Sequence, residues 1–282
     1  MRNFILIVFT VFFISKGMSQ ELSLMTYNIR LDIASDGENA WPNRKEFLVS
    51  QLQFYSPDIF GIQEGRPNQV AYINKQLTAF SFIGEGRDGG DNGEYSAIFY
   101  NKKKYKMIEQ GTFWLSETPH EIGLGWDAAY PRVCTYGLFE NIKEGTRFWV
   151  FNTHLDHIGE IARVEGLQLV LTKMKALNTD ELPTFLMGDF NAEPTSNPIS
   201  IVKNEMRDSK EIATEELIGS VGTFNDFQYD EISTQRIDYI FVSNTETIEV
   251  KTYGVLNNSK DLKFPSDHFP VFVKIKLEKT YI

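Results

Sequence analysis

The chain has 282 residues, of which 42% are hydrophobic and 13% aromatic, enough to bury the core of one large domain. Its formal net charge of −10 repels polyanions, so tight non-specific binding of nucleic acid is not expected. The lone Cys134 excludes an intramolecular disulfide, and its strand-like setting Arg132-Val133-Cys134-Thr135-Tyr136 reads as a buried structural thiol.

The chain begins with an address. Arg2 supplies a short positive region, Phe4 to Ile14 is almost continuously apolar, and Gly17-Met18-Ser19 offers the small residues of a cleavage site. Residues 1–19 are therefore expected to be a signal peptide, making the protein secreted or periplasmic, with a single domain over 20–282 and a monomeric state. The apolar run falls short of the ~20 residues that span a bilayer, and no cysteine follows for lipid attachment. Removing Arg2 and Lys16 with the leader takes the charge from −10 to −12.

Leu22 to Ile29 alternates like a strand, and Trp41-Pro42-Asn43-Arg44 opens a helical pattern through Phe47, Leu48, Leu52 and Tyr55 that stops at Ser56-Pro57. Asp58 to Gln63 reads as a short buried strand closed by Glu64, and Asn68 to Leu77 as a second helix. Hairpin-like runs follow at Phe80 to Gly84, Tyr95 to Asn101 and Tyr105 to Leu115. The Gly-rich link Gly86 to Gly93 between the first two reads as a flexible turn, matching neither a Walker loop nor an EF-hand. Beyond a loop over Ser116 to Tyr130 come strands Val133 to Glu140 and Arg147 to Thr153, the second ending in His154. A long amphipathic helix spans about Ile158 to Leu177.

The second half repeats the theme. Thr184 to Met187 is a buried strand with Gly188-Asp189-Phe190-Asn191 at its end, and a short helix covers Pro198 to Lys203. Irregular sequence to Gln235 precedes strands Ile237 to Val242, Ile248 to Val255 and Val271 to Leu277. Two groups of strands with helices outside predict two sheets packed face to face, each covered by helices.

Functional groups collect at strand ends. Asn28, Glu64, Asp189, Asn191 and Asp267 are oxygen donors at or just beyond apolar runs, and such hard ligands without cysteine select Mg²⁺ or Mn²⁺ over Zn²⁺. Glu64 is the first choice as direct ligand. His268, beside Asp267 at the mouth of the last strand, is a general-base candidate because imidazole titrates near neutrality.

Thr26-Tyr27-Asn28-Ile29, Gln63-Glu64, Asn152-Thr153-His154-Leu155, Gly188-Asp189-Phe190-Asn191, Arg236-Ile237-Asp238-Tyr239 and Ser266-Asp267-His268 together resemble the ordered motif series of the endonuclease/exonuclease/phosphatase superfamily. The spacing from Asn28 through the 41–45 segment to Glu64 is similar to its deadenylase-like branch. The resemblance implies an α/β fold, a four-layer sandwich of two packed, mostly antiparallel β-sheets flanked by helices, with the site at one edge of the sheets. It implies a hydrolase that attacks a phosphoester with activated water. Glu64 would bind the divalent ion, Mg²⁺ or Mn²⁺, with Asn28 and Asp267 beside it. His268 would activate the water and Asp238 would hold its imidazole. Asp189 and Asn191 would orient the nucleophile and the scissile phosphate, and His154 would contact a non-bridging oxygen. Asp189 is an alternative base, and one or two ions remain open.

Outside the motifs, Arg132 is expected to contact substrate, its rival reading being a salt bridge to a nearby carboxylate. Asp156 and His157 either shape the pocket or begin the helix. Trp126 and Tyr130 are candidates for an aromatic wall, and Trp114 for packing. The substrate expected is a small or exposed phosphodiester or phosphomonoester outside the cytoplasm, a nucleotide, phospho-sugar or lipid headgroup. The alternative is a secreted Mg²⁺-dependent nuclease acting on DNA or RNA.

Overall fold

The structure is a computed structural model and describes residues 19–215 and 217–278. The expected signal peptide lies outside the described residues except for Ser19, whose backbone opens the first strand. The first half runs β1 (Ser19–Asn28), α1 (Trp41–Tyr55), β2 (Ile59–Gln63) and α2 (Pro67–Gln76), as the periodicity predicts. Next come β3 (Phe80–Ile83), β4 (Ile98–Asn101), β5 (Tyr105–Trp114), β6 (Val133–Asn141), β7 (Arg147–His154) and α3 (Glu160–Leu177). The chain continues through β8 (Thr184–Asp189), α4 (Asn197–Lys203), β9 (Met206–Asp208), α5 (Ser209–Ile212) and β10 (Ile218–Gly219). It closes with β11 (Asp238–Ser243), β12 (Ile248–Val255) and β13 (Val271–Glu278).

Three differences from expectation have local causes. Helix α1 ends at the left-handed Ser56 (φ 42°) before Pro57, as predicted, but α3 starts later than Ile158. There the Asp156 carboxylate accepts the backbone N–H groups of Ile158 and Gly159 at 2.9 and 2.8 Å, turning the chain before the helix begins. Strand β8 runs past Met187 because parallel pairing with β7 continues through Thr153↔Gly188 and His154↔Asp189. Elements β9, α5 and β10 occupy sequence expected to be irregular; at two to four residues each they are too short to show a period.

The strands form a seven-stranded sheet ordered β10-β12-β13-β1-β2-β4-β3 and a six-stranded sheet ordered β5-β6-β7-β8-β11-β9. Pairing is antiparallel except between β1 and β2, β10 and β12, and β7 and β8, so both sheets are mixed. Both faces of the central strands are apolar. In β8, Phe185 and Met187 pack between the sheets while Leu186 packs under α3 and α4; in β1, Leu22 and Leu24 face the other sheet while Met25 and Tyr27 face α1 and α2. Each such side chain fully buried contributes about 1.5–3 kcal/mol of hydrophobic stabilisation. The result is helices, sheet, sheet, helices: the four-layer α/β sandwich.

Strand parity also sets the site. Extending the inter-sheet face two residues at a time leads from Leu24 through Thr26 to Asn28, from Ile59 to Gln63, from Val150 through Asn152 to His154, from Met187 to Asp189, and from Ile240 back to Asp238. At one edge of the sandwich, therefore, the shared core gives way to converging polar side chains. A buried seam separates the two regions: Gln63 Nε2 donates to Thr26 Oγ1 (3.0 Å) and Asn152 Oδ1 (2.7 Å), and Asn152 Nδ2 donates to the carbonyls of Ile62 (2.9 Å) and Ala97 (3.0 Å). Asn152 crosses between the sheets only because residue 61 is glycine, where a Cβ would sit 2.5 Å from the Asn152 side chain.

Candidate active site

The segment 266–268 enters the site just before β13 and is pinned on both sides. Ser266 Oγ donates to Asn28 O at 2.7 Å, Asn225 N to Asp267 O at 2.7 Å, and Phe269 N to Thr223 O at 2.6 Å. Thr223 also accepts the N–H of Asp238 on its hydroxyl at 3.1 Å, which joins the start of β11 to the same clamp. His268 Nδ1 consequently lies 2.9 Å from Asp238 Oδ2, and His268 Nε2 lies 3.8 Å from Asp189 Oδ2. Burial disfavours charge on this imidazole, but the Asp238 and Asp189 carboxylates outweigh it and push its pKa up to about 10. Asp189 is raised above the ordinary carboxylate range, first by burial and then by Asp238. Asp189 and His268 thus each perturb the charge state of the other.

His154 ends β7 beside Asp189. Its Nδ1 lies 3.1 Å from Arg132 Nη1, and a guanidinium can only donate, so Nδ1 accepts and Nε2 carries the proton. Burial, reinforced by the Arg132 charge, holds His154 well below the usual imidazole range and keeps it neutral. Its Nε2–H faces Asp189 Oδ2 at 3.4 Å and stands 3.1 Å from Asn191 Nδ2. Two donors side by side at the floor of a cleft are a ready receptor for an anionic oxygen. Asn191 takes a left-handed backbone (φ 46°) and is fixed by its N–H to Asp189 Oδ1 (2.9 Å) and its amide to Leu155 O (3.0 Å).

Across from these donors lie Glu64, Asp267 and Asn28. Glu64 is also left-handed (φ 62°), a strained state for a residue with a side chain, and its carboxylate accepts Asn28 Nδ2 and Leu31 N, both at 3.0 Å. Asn28 Nδ2 additionally donates to Asp189 Oδ2 at 2.9 Å, while its Oδ1 accepts Arg30 N at 3.0 Å. The amide thus turns its NH₂, not its oxygen, toward the acids, and a ligand role requires it to flip. Asp267 is pushed up to about 6, mainly by burial with the Glu64 charge adding, while Arg30 stands 3.5 Å away as a partial counter-charge. This group of hard oxygen donors fits a small divalent cation. Among the described residues, the titratable ligand atoms that lie within 4.8 Å of one another are those of Asp189, Asp238 and His268, a set adjacent to the expected ligands and also spaced to hold a cation.

Arg132 is buried and spends its nitrogens on protein: Nε 3.4 Å from Asp156 Oδ2, Nη1 on His154 and Nη2 3.1 Å from His157 Nδ1. Both readings of Asp156 and His157 hold at once, since Asp156 turns the chain into α3 and both residues fix Arg132. Tyr130 lines the cleft, Trp126 is not among its lining residues, and Trp114 is buried with its indole N–H on Arg87 O at 2.7 Å. Cys134 is fully buried, and burial raises its thiol pKa.

The sequence reading gave no role to several residues that shape this edge. Arg44 is 4% exposed and donates to the carbonyls of Ile29 (2.6 Å) and Pro265 (3.1 Å), tying the Asn28 loop to the His268 segment. Arg30, Arg66, Arg87 and Glu94 line the same cleft, of about 740 Å³, as His154, Asp189 and His268. No periodicity signals them.

The family model described as "Endonuclease/Exonuclease/phosphatase family" matches residues 25–268. A mannosyl-6-phosphatase of Bacteroides thetaiotaomicron is 40% identical, with a TM-score of 0.84 over 90% of this chain and 99% of that one. A protein of unknown function from Enterococcus faecalis is 37% identical, with a TM-score of 0.85 over 91% of this chain and 100% of that one. More distant is tyrosyl-DNA phosphodiesterase 2 of Mus musculus, 28% identical over 176 residues, which are 61% of this chain and 42% of that protein. The chain spans less than two thirds of the length of the first such curated relatives. The ordered motifs, the four-layer sandwich, the edge where His268, Asp238, Asp189 and His154 meet, and the match across nearly the whole described chain converge: this protein belongs to the endonuclease/exonuclease/phosphatase family.

Proposed function

We propose that the protein is a divalent-metal-dependent phosphoester hydrolase acting on a small phosphomonoester, exported by cleavage of residues 1–19. The observation that carries the reading is the His268 imidazole, bonded to Asp238 at 2.9 Å and facing Asp189, at the floor of a bounded cleft of about 740 Å³. A cleft of this volume suits a small ligand, and the chain's net charge of −10 disfavours a polyanionic polymer. The 40% identity to a mannosyl-6-phosphatase supports a monoester over a diester.

In this reading the phosphate sits against His154 Nε2–H and Asn191 Nδ2, the donors that meet charge developing on its oxygens. Asp189 takes the proton from the attacking water beside the His268 imidazolium that Asp238 holds, a contribution worth ~10²–10⁴-fold. A new oxygen–phosphorus bond forms as the bond to the alcohol breaks, and the alcohol leaves with a proton from the His268 imidazolium, which the proton taken up by Asp189 replaces. Arg132 keeps His154 in the donating tautomer. Glu64 and Asp267, with Asn28 beside them, would hold the metal, which supplies Lewis-acid polarisation of the phosphate.

A panel of small phosphomonoesters, phosphodiesters, single-stranded DNA and RNA, each with Mg²⁺ and with excess EDTA, tests the proposal. Monoester cleavage lost in EDTA and restored by Mg²⁺ is expected. Faster cleavage of DNA or RNA than of any monoester would make the protein a nuclease, and undiminished activity with metal verified absent would remove the metal.

A further inference from the structure

We propose that Arg87, Glu94 and Tyr130 form a subsite for the leaving alcohol and that this alcohol is a hydroxyl-bearing sugar ring. The inference rests on the phosphomonoesterase reading and adds what the enzyme recognises. All three residues line the cleft that holds His154 and His268, yet none belongs to the set that handles the phosphate or the proton.

The Gly-rich link expected to be a flexible turn is a closed hairpin. Gly86 N donates to Gly90 O at 2.7 Å, and Arg87 N donates to Glu94 O at 2.9 Å, so residues 87 and 94 face each other across it. Their side chains form an ion pair of 2.8 Å, with only 13% and 10% of each exposed. A pair so far removed from water contributes little to stability, because desolvation offsets most of its attraction. Burial raises the Glu94 pKa with the Arg87 charge opposing it, and Arg87 Nε is buried with no hydrogen-bond partner among the described residues. The wall beside the pair is Tyr130, 49% exposed, stacked on the His157 ring at 5.9 Å and 14° and lying 4.9 Å below the Arg87 guanidinium.

The chemistry of this corner selects its ligand. A second anion meets Glu94 and a cation meets Arg87, which favours a neutral group. An alkyl group would cover a dehydrated carboxylate and guanidinium without pairing them, which is costly. Hydroxyls donate and accept at once, so a ring carrying adjacent hydroxyls can engage the carboxylate, the guanidinium and the Tyr130 hydroxyl together. A free sugar phosphate and a nucleotide ribose share that chemistry.

The test is steady-state kinetics with Mg²⁺ on a hexose 6-phosphate, a nucleoside 5′-monophosphate and ethyl phosphate, for wild type, Glu94→Gln and Tyr130→Phe. The selectivity is kcat/KM for the better sugar ester divided by kcat/KM for ethyl phosphate. Wild type should favour the sugar ester by ~10²-fold or more, and each variant should lower the selectivity by ~10-fold. The two sugar arms tell a free sugar from a nucleotide. Equal rates on ethyl phosphate and both sugar esters, or variants whose losses are the same on every ester, overturn the subsite while leaving the hydrolase reading intact. No hydrolysis of any monoester by wild type removes the hydrolase reading itself, and the subsite with it. Tyr130→Phe deletes one hydroxyl and keeps the wall, so the test survives if Glu94→Gln disturbs the hairpin.

Discussion

His268 and Asp189 face each other across the junction of the two sheets, Nε2 to Oδ2 at 3.8 Å, while Asp238 holds the far side of the imidazole at 2.9 Å. Asp189 and Asp238 are directly paired residues of adjacent antiparallel strands, so their carboxylates are brought to one face by register alone. Replacing Asp238 with Asn keeps the shape but removes the charge that stabilises imidazolium. We expect kcat to fall ~10²–10⁴-fold with little change in KM, and the double change Asp238→Asn with His268→Ala to be barely worse than His268→Ala alone. Losses that multiply would separate the two residues.

The same triad predicts a pH dependence of stability. His268 is raised from 6.5 to about 10 in the folded state, so the stabilisation it brings is fully present below pH 6.5 and is lost as pH rises toward 10. In EDTA-treated protein the unfolding midpoint in urea should drop across that window, and His268→Gln should flatten the drop. A wild-type midpoint that rises over the window would contradict the assignment.

Metal binding is read without activity. If Glu64 and Asp267 hold the ion, saturating Mg²⁺ at about 100 times Kd should stabilise the EDTA-treated protein by ~2.7 kcal/mol, seen as a rise in Tm. Glu64→Gln should abolish most of the rise. An equal rise in wild type and variant would move the ion elsewhere, the Asp189, Asp238 and His268 group being the first place to look.

The polar seam beneath the site predicts a structural cost. Asn152→Ala removes one of the two acceptors of Gln63 Nε2 and the side-chain donor to the Ile62 and Ala97 carbonyls in a buried place, and should destabilise the fold by ~1–3 kcal/mol. Urea denaturation measures it, and a change below a few tenths of a kcal/mol would mean that the seam is not needed.

These cases show where sequence reasoning reaches and where it stops. Asn28, His154 and Asp189 were legible because each ends a strand, and Asp238 because it begins one, the two-residue parity deciding which face each shares, and the motif order supplied the rest. Glu64 was legible as an acid after a buried strand, but its left-handed backbone was not. Arg132 was visible as a cation entering a strand; that its guanidinium would bind two histidines and Asp156 depends on a turn built far along the chain. Arg44 reaches Pro265 over 221 positions and Asn152 reaches Ile62 over 90, contacts that no local period encodes. The pairing of Arg87 with Glu94 depends on the conformation of a Gly-rich link whose composition alone suggested only flexibility.

The most direct measurement of the central claim is a single turnover of a small phosphomonoester in ¹⁸O-labelled water with Mg²⁺, analysed by mass spectrometry of both products. Water delivered to phosphorus by the His268, Asp189 and Asp238 set should place one ¹⁸O in the released phosphate and none in the alcohol, and His268→Ala should suppress that phosphate ~10²-fold or more. Label in the alcohol, or a His268→Ala variant that releases labelled phosphate at the wild-type rate, would contradict the account.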